Sequence, residues 1–288
     1  MLVRLFPVFF VFLWATGFIG AGLSMPYAEP FSFMTVRFIF AGLIFGIWAL
    51  ATGVVWPKGK SFAQACVTGL LVHGIYLSAL FWAVHNGLPA GMSGLIAGLQ
   101  PMVTTLLAGI FLGERIKKQQ LLGLVAGFIG VAMVVSPKFS LGSDGINPVT
   151  LIAALIGVLA ISSGTVWQKR FGSAMDLKAG TAIQYLAAGL FTLICAALVE
   201  TGQFQLTSEL IIALVWLTIV ISVGAVLALM VMIREGALSK VSSLFYLVPA
   251  AAALMAYVLF DETLNMTQIA GMLVTTIGVA LTSMKRKT

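Results

Sequence analysis

Charge is what this sequence has least of. Only 9% of its 288 residues are Asp, Glu, Lys or Arg, against roughly a quarter in a soluble domain. A chain so poor in charge has too little polar surface to face water all round, which excludes a soluble enzyme and a nucleic-acid binder. Cysteine is scarce too: Cys66 and Cys195 both lie inside apolar runs, so they give no disulfide framework. With His73 and His85 the only histidines, no Cys/His cluster exists to hold a metal. No Walker sequence, HExxH or GxSxG motif occurs, and no cofactor or metal is expected. Carboxylates are absent from the interior of every long apolar run, Glu200 standing at the end of one, which removes the usual midplane proton relay.

What is abundant is apolar sequence: 60% hydrophobic residues and a mean hydropathy of +1.10. About 20 apolar residues make one membrane-spanning helix. Ten runs are long enough, at 5–23, 31–53, 62–84, 88–112, 119–137, 149–168, 179–200, 210–233, 239–260 and 267–284. They are continuous rather than alternating, which favours helices over a β-barrel. The expected fold is therefore all-α and integral to the membrane, with ten transmembrane helices. The first run is too long for the apolar core of a cleavable signal and no clear cleavage site follows it.

Basic residues set the orientation. With the N-terminus inside, fourteen of the sixteen Lys and Arg fall in cytoplasmic segments; Lys138 lies outside and Arg37 within a span. Glu29, Asp144, Glu200, Glu209, Asp261 and Glu262 then fall in outer loops. Both termini are expected in the cytoplasm.

The two halves resemble each other. Aligning Pro101 with Pro249, an offset of 148, brings Glu114 onto Glu262, Gly123 onto Gly271 and Gly130 onto Gly278. Arg37-Phe-Ile-Phe-Ala-Gly-Leu likewise matches Gln184-Tyr-Leu-Ala-Ala-Gly-Leu. Five spans per half is an odd number, so the second half enters the membrane inverted. The expected domains are a first repeat at 1–137, an outer linker at 138–148 and a second repeat at 149–288.

The Pro–x12–Glu–x8–Gly–x6–Gly pattern, present twice, resembles the EamA domain of the drug/metabolite transporter superfamily, over nearly the whole chain. Trp14-Ala-Thr-Gly-Phe and Arg37 also fit that family. The resemblance implies a bacterial inner-membrane exporter of amino acids and related metabolites, aromatic ones and amphipathic drugs included. It also implies a central cavity lined by spans one to four and six to nine, with spans five and ten peripheral.

Several residues could serve such a cavity. His73 lies at the middle of span three with Tyr76 one turn on, sharing its face. Gln100 and Tyr246 lie at mid-depth beside Pro101 and Pro249, and Trp14 and Ser163 are further polar or aromatic mid-span residues. These six are the substrate-binding candidates. Pro101 and Pro249 free the carbonyls of Ala97 and Phe245, which can bind substrate or let the helix bend. Arg37, about 9 Å below the outer edge of its span, either holds a substrate carboxylate or pairs with Glu29 or Glu262 to close the outer side. Glu114 and Glu262 precede spans five and ten, where a carboxylate suits the helix dipole or gates through a basic partner. The GxxxG pairs Gly42/Gly46, Gly94/Gly98, Gly109/Gly113 and Gly123/Gly127 suit close helix packing, and the last could instead serve a dimer contact.

The sequence thus points to a carrier of a small molecule by alternating access, seated in a lipid bilayer, with no nucleic-acid partner, as a monomer or weak homodimer. Transport is either facilitated or weakly proton-linked through His73. The other class left open is a membrane enzyme or lipid-handling protein using the same cavity.

Overall fold

The structure, a computed structural model, describes residues 2–114, 116, 118–138, 147–172, 175–225, 248–262 and 264–283. Tyr246, Phe245 and the adjoining ends of the eighth and ninth apolar runs lie outside the described residues, as does most of the 138–148 linker.

Every described element but one short contact is helical. The helices are α1 (Leu2–Ser24), α2 (Pro30–Ala51), α3 (Lys60–His85), α4 (Ala90–Leu112), α5 (Lys118–Val135), α6 (Pro148–Phe171), α7 (Leu177–Val199), α8 (Ser208–Ala225), α9 (Val248–Phe260) and α10 (Met266–Ser283). Each falls on one of the apolar runs. Seven of them are long and apolar enough to cross a bilayer, and Val11–Ser24, Val248–Phe260 and Met266–Leu281 are shorter apolar stretches. Among the described residues the sole β contact is an isolated bridge between Ala28 and Phe204.

Local sequence sets the helix ends. Pro30 and Pro148 open α2 and α6, where proline's missing amide is no loss. Asn147, Asp176 and Thr207 cap α6, α7 and α8 with their side-chain oxygens. Asn265 and Gln268 exchange side-chain bonds with each other's amides, a reciprocal capping box at the start of α10. Gly113 ends α4 in the left-handed region, at φ 67°.

Packing pairs corresponding helices of the two halves. Between lipid-facing helices there is little hydrophobic drive, so close backbone approach has to hold the bundle. Gly123 and Gly127 of α5 meet Gly278 of α10, while Gly130 meets Gly271. Gly91, Gly94 and Gly98 of α4 meet Ala256, Ala252 and Pro249 of α9. Gly42 of α2 meets Leu186 of α7, and Thr35 bonds Thr192. In each pair rising numbers meet falling ones, so all three are antiparallel. The Gly123/Gly127 pair is thus occupied inside the molecule by α10 rather than left for a second copy. Around these pairs, α1 packs on α8 and α9, and α6 packs in the same way on α3 and α4.

Three helices depart from regular geometry near the centre. α4 is interrupted between Ala97 and Gln100, with Pro101 opening its second half. α3 winds as a π-helix over Leu70–Ile75, and α8 does so over Trp216–Ala225. Shifted by the repeat offset, the first π stretch falls inside the second. Such stretches recur at functional sites.

Candidate functional site

The two π stretches border a cavity of about 100 Å³ between the two halves. Its walls come from α1 (Trp14, Phe18), α2 (Arg37), α3 (His73, Tyr76), α4 (Ser93), α7 (Tyr185) and α8 (Ser222). The lining is aromatic and aliphatic, with a few hydroxyls and one cation; among the described residues it holds no carboxylate. A smaller chamber adjoins it, sharing Trp14, Phe18 and Tyr76 and reaching Gln100, Pro101 and Pro249.

The helices hold this lining in fixed poses. His73 lies on Tyr185, ring centroids 4.3 Å apart and 25° between planes. Phe38 packs beside this pair, 6.0 Å from Tyr185 and 6.2 Å from His73. Tyr185 Oη donates to the Ser222 carbonyl at 3.2 Å. That hydroxyl-to-carbonyl bond ties α7 to the π stretch of α8.

Arg37 is only 4% exposed. Its Nε and Nη2 both donate to Ser222 Oγ, at 3.2 and 3.1 Å, and Ser222 Oγ in turn donates to Leu217 O at 3.0 Å. The guanidinium also lies 6.0 Å from the centroid of the Phe38 ring. The expected pairing of Arg37 with Glu29 or Glu262 does not occur, because backbone amides claim both acids. Glu262 accepts from Ala90 and Gly91 at 2.8 and 3.0 Å, capping the N-terminus of α4 across the bundle. Glu29 accepts from Thr201, Gly202 and Gln203. Those amides, Thr201 first, hold its carboxyl below the ordinary value. Glu200 reciprocates by accepting from Phe31 and Ser32 at the start of α2. Each of the three carboxylates thus joins segments distant in sequence on one face of the bundle.

On the opposite face, Glu114 pairs with Lys169 at the end of α6 instead of capping α5. Lys178 donates to Thr52 and lies over the Trp48 ring. The equivalent glutamates of the two halves therefore do different work.

Among the sequence-derived candidates, Trp14, His73, Tyr76 and Arg37 meet at the main cavity, and Gln100 with both prolines meets the adjoining chamber. Ser163 does not join them. It faces a separate groove with Phe111, Trp167 and Arg170, while its neighbour Ser162 is buried and donates to Gln100 O. Tyr185, Phe18 and Ser93 were not singled out from sequence; their signal was only that of aromatic or hydroxyl residues in apolar helices. Cys66 and Cys195 are both free thiols.

A multi-pass helical bundle with interrupted helices around a central chamber is the architecture of a membrane transporter. The chain belongs to the EamA-like transporter family, which it matches over residues 3–136 and 149–284. It is 26% identical over 286 residues to the uncharacterized transporter YvbV of Bacillus subtilis, covering 97% of this chain and 90% of that protein. It is 26% identical over 254 residues to the uncharacterized inner membrane transporter YedA of Escherichia coli K12, covering 88% and 81%. It is 23% identical over 286 residues to a protein of Salmonella typhimurium named a probable amino-acid metabolite efflux pump, covering 93% and 90%. A solved crystal structure at 21% identity shares the fold, with a TM-score of 0.66 over 96% of this chain and 94% of that one.

Proposed function

We propose that this EamA-family membrane protein is an inner-membrane exporter of small amphipathic metabolites, amino acids with apolar or aromatic side chains first, working by alternating access. The observation that carries this reading is the aromatic cavity walled by helices of both halves. A site at such an interface changes its exposure when one half tilts against the other. The names of the Salmonella and Escherichia coli relatives support amino-acid-type cargo and the inner membrane.

Ten spans in two oppositely oriented repeats, 1–137 and 149–288 joined by 138–148, are the topology of the proposal. The three antiparallel pairs of corresponding helices support a two-fold axis lying in the membrane plane. The partition of Lys58, Lys60, Lys169, Arg170 and Lys178 from Glu29, Glu200, Glu209 and Glu262 supports cytoplasmic termini. Trp14, His73 and Tyr76 bind the apolar part of the substrate, and Gln100 serves the adjoining chamber. Tyr246, next to Pro249 in sequence, is assigned there on sequence position alone. Pro101 and Pro249 let α4 and α9 bend, and Glu114 and Glu262 gate opposite faces. The protein works as a monomer or weak homodimer.

The test is uptake of a labelled amino-acid panel into proteoliposomes by wild type and Gly17→Leu. Gly17 lines the cavity, and a Cβ there meets nothing within 4 Å, so a leucine side chain starts in open space and fills the cavity. Saturable uptake that Gly17→Leu abolishes, at an unchanged unfolding temperature, is the expected result. Undiminished uptake by the folded variant would place the pathway elsewhere. A pH gradient applied to wild type and His73→Ala separates facilitated from proton-linked transport.

A further inference from the structure

Among the described residues, Arg37 is a cation without an anion. Among the described residues the one ion pair is Lys169–Glu114, the cavity lining holds no carboxylate, and Arg37 directs two nitrogens at a single neutral hydroxyl. The acids Glu29, Glu200 and Glu262, on one face of the bundle, are each committed to backbone amides. A buried guanidinium in a membrane interior ordinarily pairs with a carboxylate, and one left with a hydroxyl alone lacks its counter-charge. Its planar fork fits a carboxylate by two parallel bonds. The apolar walls of its cavity combine rings, Phe18, Tyr76, Phe81 and the His73–Tyr185 stack, with aliphatic side chains such as Leu80 and Ile221.

We propose that Arg37 receives the carboxylate of the transported molecule, and that the site selects apolar carboxylic acids, for which a free ammonium group is dispensable and unfavourable. This rests on the transport reading above and, within it, moves the preferred cargo from free amino acids to related acids that lack the ammonium group. An ammonium group would be repelled by Arg37 and would find no acid on the lining to offset its loss of water. The acids expected to suit the site best therefore lack that group: phenyl-substituted alkanoates, 2-oxo acids and N-acylated amino acids. An apolar cavity of ~150 Å³ holds a benzene ring; this one, of about 100 Å³, is narrower, so binding a phenyl-bearing acid requires its lining side chains to move.

Four ligands sharing one skeleton test the assignment: 3-phenylpropionate, its neutral amide, L-phenylalanine and phenethylamine. Binding to the purified full chain in detergent is measured by titration calorimetry, for wild type, Arg37→Lys and Arg37→Gln, with unfolding temperature as the check on folding. Wild type should bind the propionate at least ten-fold more tightly than the amide and than phenylalanine, and should not bind the amine. Arg37→Gln should bring propionate and amide within three-fold of each other, and Arg37→Lys should fall between. If Arg37→Gln does not fold, the wild-type ranking and Arg37→Lys decide. An affinity series indifferent to charge, binding of the amine at the level of the acid, a ten-fold acid preference that survives in folded Arg37→Gln, or no binding of any of the four would each overturn the assignment. The transport reading is judged separately, by proteoliposome uptake and its loss in Gly17→Leu.

Discussion

Replacing Gly278 by alanine adds one methyl group where two helix backbones touch. A Cβ built on Gly278 lies 2.6 Å from both Gly123 O and Gly127 N, and 3.0 Å from Gly127 Cα. All three are main-chain atoms, so no rotamer change relieves the clash, and α5 and α10 must separate by roughly 1 Å to restore an ordinary contact of about 3.5 Å. Overpacking of this kind costs about 3 kcal/mol, while alanine in place of glycine in a helix returns about 1 kcal/mol. The net loss is about 2 kcal/mol, which lowers the unfolding temperature by roughly 4 °C in a chain of this size. Gly46→Ala is the control: its Cβ meets nothing within 4 Å, so the same helix-propensity gain should leave stability unchanged or slightly raised. The readout is thermal unfolding in detergent followed with a thiol-reactive dye, using the free thiols of Cys66 and Cys195. If Gly278→Ala melts with Gly46→Ala, the crossing is not as close as described and the packing argument fails.

Other substitutions address the two faces and the cavity wall. Glu262→Ala removes the cap on Ala90 and Gly91 and should destabilise by about 1 kcal/mol, with faster hydrogen exchange at those two amides; unchanged exchange would count against the cap. Glu29 is held below its ordinary value of 4.5 by the amides of 201–203. Its contribution to stability is therefore fully present above pH 4.5 and declines as the pH falls through the lower folded value. Unfolding temperature measured against pH should drop in that acid range, and more shallowly in Glu29→Gln; identical curves would show that the clamp contributes nothing. Tyr185→Phe removes the bond to the Ser222 carbonyl and should cost about 1 kcal/mol while preserving the ring stack on His73, so binding of an apolar ligand should change less than stability does.

The helices were legible because a bilayer leaves a backbone little choice. With no water to satisfy amides, each apolar run has to close its own hydrogen bonds, and the described helices lie on those runs. The α4 interruption was legible in Pro101. The π stretches were not, because nothing in Leu-Leu-Val-His-Gly-Ile marks a wider turn; that winding is settled by what α3 packs against. The site divides along the same line. Arg37, His73, Tyr76 and Trp14 stood out as polar or large residues in apolar surroundings, and the structure places them together. Which hydroxyl would meet Arg37 depended on bringing α2 against α8, so Ser222 was only one serine among several. Ser163 shows the limit on a single helix: one residue turns a side chain by 100°, which moves the hydroxyl from the position of Ser162 to a different groove.

The two faces of the molecule are fastened by different physics. On one, Glu29, Glu200 and Glu262 grip peptide dipoles, interactions of short range that dissolved ions scarcely weaken. On the other, Glu114 and Lys169 are two solvated point charges, about half exposed at 48% and 61%, and mobile ions screen such a pair within a Debye length of ~8 Å at physiological ionic strength. Concentrated salt should therefore loosen the second face more than the first. If the two faces close in turn, as the transport proposal holds, salt should shift the balance between the two closures even when no substrate is present.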